Sequence, residues 1–455
     1  MLLIYTYKIT PRFTYIANHI CKRLLGLEVA FTTEVSDFIK HEGPKLTYTK
    51  QALQNEFFIR SHALLFEQGI NDHAIKVSDW NGVPCFFPSG DKSGIPFDVF
   101  AASFYMLSRY EEYLPHVKDI HGRFPPKESV GYVNGFLTSP VVDQWASLFF
   151  NALQDKFPDL KRAKRTYCFT PLIDVTSSHA FAYRGLIRGV SGFFVDLAGF
   201  KLSRLLTRLG VWLRFKKDPY DNFDYLGILL RQYKAKAIFF FQFADYGTYD
   251  KNVSPYNNLF KALIKSVADH FEVALAASYA SFGAPKILME EQKHLASVVN
   301  RPIKASRMRY NRVDIPVSYR DLVDAEIHND YSMGYTHELG FRAGTATPFF
   351  FYDIYLELQL PIKVHPFAVH DYALLKEKST LDALKIMTPL YLATKEVSAH
   401  FNVVFSNELL GGEKSLVWKE TFQKLSSIKK EDQTVWFHVA SLGEFEQAIP
   451  IIEAV

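Results

Sequence analysis

From residue 166 onward, short apolar runs alternate with stretches whose apolar residues recur every three or four positions. The short runs predict strands over 166–173, 237–243, 272–275, 301–306, 325–328, 362–369 and 402–405. The periodic stretches predict helices over 223–233, 259–270, 285–299, 319–323 and 379–400. The run AIFFFQF at 237–243 has no polar alternation, as a strand covered on both faces requires. Seven strands with helical crossovers imply an α/β fold, a distorted (β/α) barrel over 166–412. Residues 1–155 mix the two periods and read as an α+β domain of unknown role. Strands are expected there at 4–9, 27–32 and 83–87. A helical segment at 19–25 closes on Gly26, and a helix over 96–114 lies between Pro96 and Pro115. A further helix covers 143–156. The basic run Lys161, Arg162, Lys164 and Arg165 reads as a hydrophilic linker.

Length agrees with this division, because 455 residues exceed one ordinary core. Aromatic content is high, with 40 Phe and 25 Tyr, which suits large cores and also sugar-stacking surfaces. A formal charge of +4 leaves no electrostatic footprint for nucleic acid. Cys21, Cys85 and Cys168 lie far apart, which fits a reducing compartment and no thiolate metal site. The opening MLLIYTYKITPRF lacks a basic n-region and a cleavage site, and no apolar stretch reaches the ~20 residues of a membrane span. A cytoplasmic protein is expected, at most peripheral to the inner membrane. The stretch 184–217 carries eight basic residues and one acid, Asp196, among many apolar ones. It is either a solvated helix face or a basic amphipathic arm for an anionic membrane. Arg109, Glu111 and Glu112 in SRYEEY read as helix-surface ion pairs, with a functional role as the alternative.

Five motifs in order along 160–410 resemble those of the NodB-type carbohydrate deacetylases, in a divergent branch. TPLIDVTSSHAFAYRG keeps Thr170, Asp174, Ala182, Tyr183, Arg184 and Gly185 of the first, with Leu172 where the catalytic base belongs. VALAASY has Ala276 at a metal histidine, and SRMRY keeps Arg307 but has Arg309 at another. DYSMGY and GFRAGTATPFFFYD match closely, and Arg342, Gly344 and Thr345 read as a sugar- or carboxylate-facing loop. Phe405-Ser-Asn407 puts Ser406 where the family holds its general acid. The resemblance implies a site at Asp174, Arg307, Asp330 and Arg342. It also implies metal-dependent amide hydrolysis, in which a cation polarises the carbonyl and activates water. Alanine and leucine offer no donor and a guanidinium repels a divalent ion, so these replacements imply an impaired enzyme with no cofactor. The alternative is a rebuilt site, Asp174 with His179 and His370, holding Zn, Ni or Mn.

Residues 434–455, TVWFHVASLGEFEQAIPIIEAV, resemble the opening of the Kdo transferases of lipopolysaccharide synthesis. The resemblance rests on His438, Ala440, Ser441, Gly443 and Glu444, and it implies a catalytic-base role for Glu444. One β-turn-α unit cannot build the two nucleotide-binding domains such a transferase needs. The expectation is a fused or truncated gene, with 415–455 docking loosely and 430–455 removable without effect on melting. The functional expectation is a deacetylase-like protein binding or acting on a cell-envelope carbohydrate or glycolipid. An active amidase with a relocated metal, a transferase fragment and a membrane-surface scaffold are the alternatives.

Overall fold

The computed structural model describes residues 1–375, 379–412 and 415–427. Strands β1 (Leu2–Tyr5), β2 (Val29–Thr32), β3 (Lys45–Thr49) and β4 (Phe57–Arg60) form a sheet in the order β2-β1-β3-β4. All its pairs are parallel, so this region has crossover α/β connections where the sequence suggested an undivided α+β mixture. The first crossover starts at Thr10, whose side chain accepts the Phe13 N–H, and has Pro11 in its first turn. It ends at Gly26, whose φ of +66° needs no Cβ; an added Cβ would lie 2.3 Å from that of Ala163. A hairpin follows, β5 (Ser78–Trp80) with β6 (Val83–Cys85).

The helix expected over 96–114 is shorter. It runs Val99–Leu107, capped by Asp98, which accepts from the Phe100 and Ala101 amides. Arg109 then adopts φ 55°, and Tyr110–Glu112 form a separate turn. The break rolls Arg109, Glu111 and Glu112 inward, where all three are buried. The helix-surface reading of these residues is therefore overturned.

The second sheet holds β7 (Cys168–Val175), β8 (Ile238–Phe241), β9 (Glu272–Ala277), β10 (Ala305–Met308), β11 (Asn329–Asp330), β12 (Phe349–Asp353), β13 (Leu358–Val364), β14 (Val369–His370) and β15 (His400–Ser406). Their order is β12-β13-β11-β10-β9-β8-β7-β15-β14. Neighbours are parallel except β12 and β13, which pair antiparallel. The ladder among the described residues is an open series from β12 to β14, so the expected barrel is supported as a central sheet and not as a closed ring.

Alternation along these strands sorts side chains into two cores. Ile173, Phe239, Phe241, Leu275, Val403 and Phe405 join the main core, which runs through the whole molecule. Leu172, Ile238, Phe240, Ala274, Ala276, Ala305 and Val404 form a second, smaller core on the other face, closed by Tyr331 and Phe367.

The helix Ser415–Ser427 is part of the body. Trp418 and Phe422 are fully buried, and the Phe422 ring meets Phe405 edge to face at 5.0 Å. Loose docking of the tail is thus overturned for 415–427. The remainder of the transferase-like segment, including His438 and Glu444, lies outside the described residues.

Candidate functional site

The small core fixes what the strand ends can offer. Leu172 pairs in register with Val404 on one side and Ile238 on the other, and Ala276 pairs with Arg307. Two residues further along β7, on the same face as Leu172, stands Asp174. Two residues beyond Ala305, likewise on that face, stands Arg307. Their side chains meet: Arg307 Nε donates to Asp174 Oδ2 at 2.9 Å. Arg307 also donates from Nη1 to the Tyr331 carbonyl at 2.9 Å, and its guanidinium lies 4.6 Å from the Phe367 ring centroid. Both residues of the pair thus stand above an apolar floor at the mouth of the sheet, meaning the C-terminal ends of its parallel strands.

His370, at the end of β14, approaches from the other side. Its Nε2 lies 3.9 Å from Asp174 Oδ2, and its Nδ1 lies 2.8 Å from Asp371 Oδ1. Asp371 in turn accepts from the Ser406 hydroxyl at 3.1 Å and from the Ser406 amide. The result is a chain Ser406–Asp371–His370–Asp174–Arg307. Ser406 supports it as a donor to a carboxylate, a role open to serine where a titrating acid is not.

Of the residues singled out in the sequence, Asp174, Arg307 and His370 come together. His179 does not join them: its Nδ1 meets the Ser178 hydroxyl at 3.0 Å, and its ring packs edge-on to Tyr183. His365 stacks on Tyr331, 4.4 Å between centroids, and its Nε2 lies 2.9 Å from Asn329; burial pushes its pKa down to about 3.

Asp330 is fully buried and held by Ser332, whose hydroxyl donates at 2.6 Å and amide at 3.0 Å, and by the Tyr319 hydroxyl at 3.3 Å. Burial raises its pKa. It braces a turn and does not line an open cleft as expected.

Arg342 sits in the expected loop, with its guanidinium held by the chain's own Glu112 carboxylate. It donates to both oxygens of Glu112, at 2.9 and 2.6 Å. Arg109 binds the same carboxylate at 2.8 Å, meets Glu111 at 2.7 Å and donates to the Arg342 carbonyl. Three residues on, Thr345 donates to Asp143 at 2.7 Å, and the Ala346 amide donates to the same oxygen at 2.9 Å. The GFRAGTAT loop does face carboxylates, but they are the chain's own. It clasps the N-terminal region to the sheet. Gly340 permits the close approach, since a Cβ there would lie 2.4 Å from the Leu137 carbonyl oxygen.

Among the described residues no three His, Cys, Asp or Glu side chains form a group able to hold a metal ion. Those at the mouth do not make the donor set of about three ligands that a catalytic divalent ion takes. One oxygen of Asp174 faces a guanidinium, and Leu172 and Ala276 belong to the apolar floor. The arrangement is a charge pair with an imidazole and a second carboxylate beside it.

An aromatic group near the strand ends went unrecognised in the sequence. Tyr249 and Tyr279 stack at 4.2 Å, His121 stacks on Tyr310 at 4.9 Å, and the two pairs meet edge to face. Beside them Arg123, Asn311, Thr336, His337 and also Arg342, from the GFRAGTAT loop, line a cavity of about 60 Å³. The available signal was a tyrosine shortly after each of β8, β9 and β10.

Family models match the two ends of the chain. Residues 2–158 match the model of a family of unknown function (DUF7033), and residues 417–455 match that of 3-deoxy-D-manno-octulosonic-acid transferase (kdotransferase). No curated protein matches. Among solved structures, one assigned to a polysaccharide deacetylase from Mycobacterium smegmatis aligns at 12% identity and a TM-score of 0.40, over 64% of this chain and 92% of its own. A polysaccharide deacetylase assignment from Pseudomonas aeruginosa PAO1 aligns at 11% identity and a TM-score of 0.37, over 58% and 87%. Puue allantoinase aligns at 11% and 0.36, over 63% and 91%.

Proposed function

We propose that this chain is a deacetylase-like protein that binds a cell-envelope saccharide near its strand ends and lacks metal-dependent amide hydrolysis. The observation that carries this reading is the Asp174–Arg307 ion pair, 2.9 Å long, above an apolar floor. A cationic side chain takes the place next to the carboxylate that a hydrolase would give to its ion. A saccharide is favoured by the partly open tyrosine group beside polar Arg123, Asn311 and Thr336, since sugars stack on rings and exchange hydrogen bonds at their edges. Asp174, Arg307 and His370 would meet it as hydrogen-bonding groups.

Calorimetry of the full chain with N-acetylated oligosaccharides tests binding, and an amide-release assay with added Zn, Ni or Mn tests hydrolysis. Binding without turnover is expected; turnover that depends on metal refutes the reading.

A second reading, an amidase with a relocated ion, is favoured by one observation. Asp174 Oδ1 is buried without a hydrogen-bond partner, 3.9 Å separates its sister oxygen from His370 Nε2, and so one carboxylate and one imidazole face a common space. About one tightly held metal per purified chain would favour it. The transferase reading attaches to 417–455 alone, and expressed by itself the chain is expected to transfer no Kdo.

A further inference from the structure

Between β7 and the helix Phe223–Gln232 the chain inserts a helical hairpin, Leu186–Ala198 and Leu202–Trp212. Its polarity is inverted. The seam between the helices holds an ion pair, Arg208 Nη2 to Asp196 at 2.6 Å, with both residues buried. Phe193 stacks on Trp212 at 6.3 Å beside it, and Arg208 lies 4.7 Å over the Phe181 ring. Gly189 and Gly192 allow the second helix this close, because a Cβ on either would lie 3.0 Å from Trp212 or 2.7 Å from Arg208.

The apolar side chains point the other way. Ile187, Phe194 and Leu197 follow one another at helical spacing on the first helix and are exposed, as are Leu202, Leu206 and Leu213 on and after the second. Phe200 in the connection is 87% exposed and Phe215 beyond the second helix 82%. A water-facing surface of this kind exceeds the scattered apolar residues of ordinary soluble chains.

The charges beside it have one sign. Lys201, Arg204, Arg214 and Lys216 are exposed, and the single acid of the stretch, Asp196, is spent inside the seam. Lys201, Arg214 and Lys216 form no ion pair among the described residues; Lys217 is tied to Asp224 at 2.7 Å. A second copy of the same face would bring like charges together. An anionic surface with an apolar interior satisfies both halves of the pattern.

We infer that the hairpin 186–217 docks on an anionic lipid bilayer, its Phe and Leu side chains entering the acyl boundary and its Lys and Arg side chains meeting lipid phosphates. No helix described here is long and apolar enough to cross a membrane, so the contact lies in the interface plane. The hairpin springs from the strand end that carries Asp174: Arg184, just before it, donates to the His179 carbonyl at 3.0 Å and to the Ser177 hydroxyl at 2.7 Å. The inference stands whether or not the mouth binds a saccharide.

The test is co-sedimentation of the full chain with vesicles of phosphatidylcholine, with and without a minority of phosphatidylglycerol, at low and high salt. Binding to anionic vesicles that weakens with salt is expected. Lys201→Glu with Arg214→Glu and Lys216→Glu should weaken it at least about tenfold. Phe194→Ser with Phe200→Ser and Phe215→Ser should weaken it comparably, and circular dichroism on these exposed-site variants checks the fold. A blue shift of tryptophan emission on binding, lost in Trp212→Phe, gives a second readout. Failure to sediment with either vesicle overturns the inference, as does equal binding to both that ignores the charge variants. A wild-type dimer in light scattering that the Phe variant dissolves would give the face to a second copy and equally overturn it.

Discussion

At the scale of single residues the mouth rests on a pair of charges with little solvent around them. Arg307 is 3% exposed and Asp174 13%. Removing one partner of such a pair leaves the other uncompensated, so Asp174→Asn or Arg307→Met should each lower stability by about 2–4 kcal/mol. The double variant should lose markedly less than the sum, and urea unfolding of all three measures the coupling. Glu291 gives a pH-dependent counterpart. Buried where it accepts the Ser278 amide at 3.0 Å, its carboxyl is pushed up to about 7, mainly by desolvation, from 4.5. The folded state therefore holds that proton more tightly than the unfolded chain. The stability this gives is full below about 4.5 and is lost as pH rises through about 7. Glu291→Gln, which still accepts the amide, should gain on the wild type by up to about 3 kcal/mol at pH 8 and not at pH 4. A parallel pair of denaturation curves at those two pH values decides it. Some of this scale was legible beforehand. Leu172, Ala276 and Arg309 are residues without a base or a metal donor at positions where the motif resemblance implies one. The partnership of Asp174 with Arg307 was not legible, because it depends on the register of strands whose paired residues lie 133 positions apart. Nor was the burial of Arg342, since a motif match says nothing about which carboxylate the arginine meets.

At the scale of elements, alternation and apolar runs located β7, β8, β9 and β15 within a few residues, and the helix Pro285–Val299 at its observed bounds. Strong periodicity survives tertiary context. The elements that escaped were short or broken by a local signal of low information. β3 and β4 are 5 and 4 residues long. The helix after Asp98 stops because Arg109 takes a left-handed backbone, which its residue type does not advertise. The helix Ser415–Ser427 is the clearest reversal, since its WKETFQKL reads as surface until Phe405 and the helix Thr380–Glu396 cover it. Trp418→Ala should destabilise by about 3–5 kcal/mol, whereas Leu416→Ala, at a position 70% exposed, should stay within about 0.5 kcal/mol. Thermal melts of the two variants side by side check the contrast.

At the scale of the whole molecule, the two regions joined by a basic linker share one apolar core, and polar contacts cross their junction. Arg342 reaches Glu112, Thr345 reaches Asp143, and Arg12 reaches Glu357 across the same junction, at 2.5 Å. This extends well beyond the linker that the sequence marked, and it gives the GFRAGTAT loop a clasping role. The linker itself is exposed at 161–164. A protease that cuts there should therefore yield two pieces that still elute together on a sizing column in mild buffer and part only in a chaotrope. Nicked protein would pass for intact until denatured, and the severed peptide bond would leave the vesicle and saccharide assays unchanged.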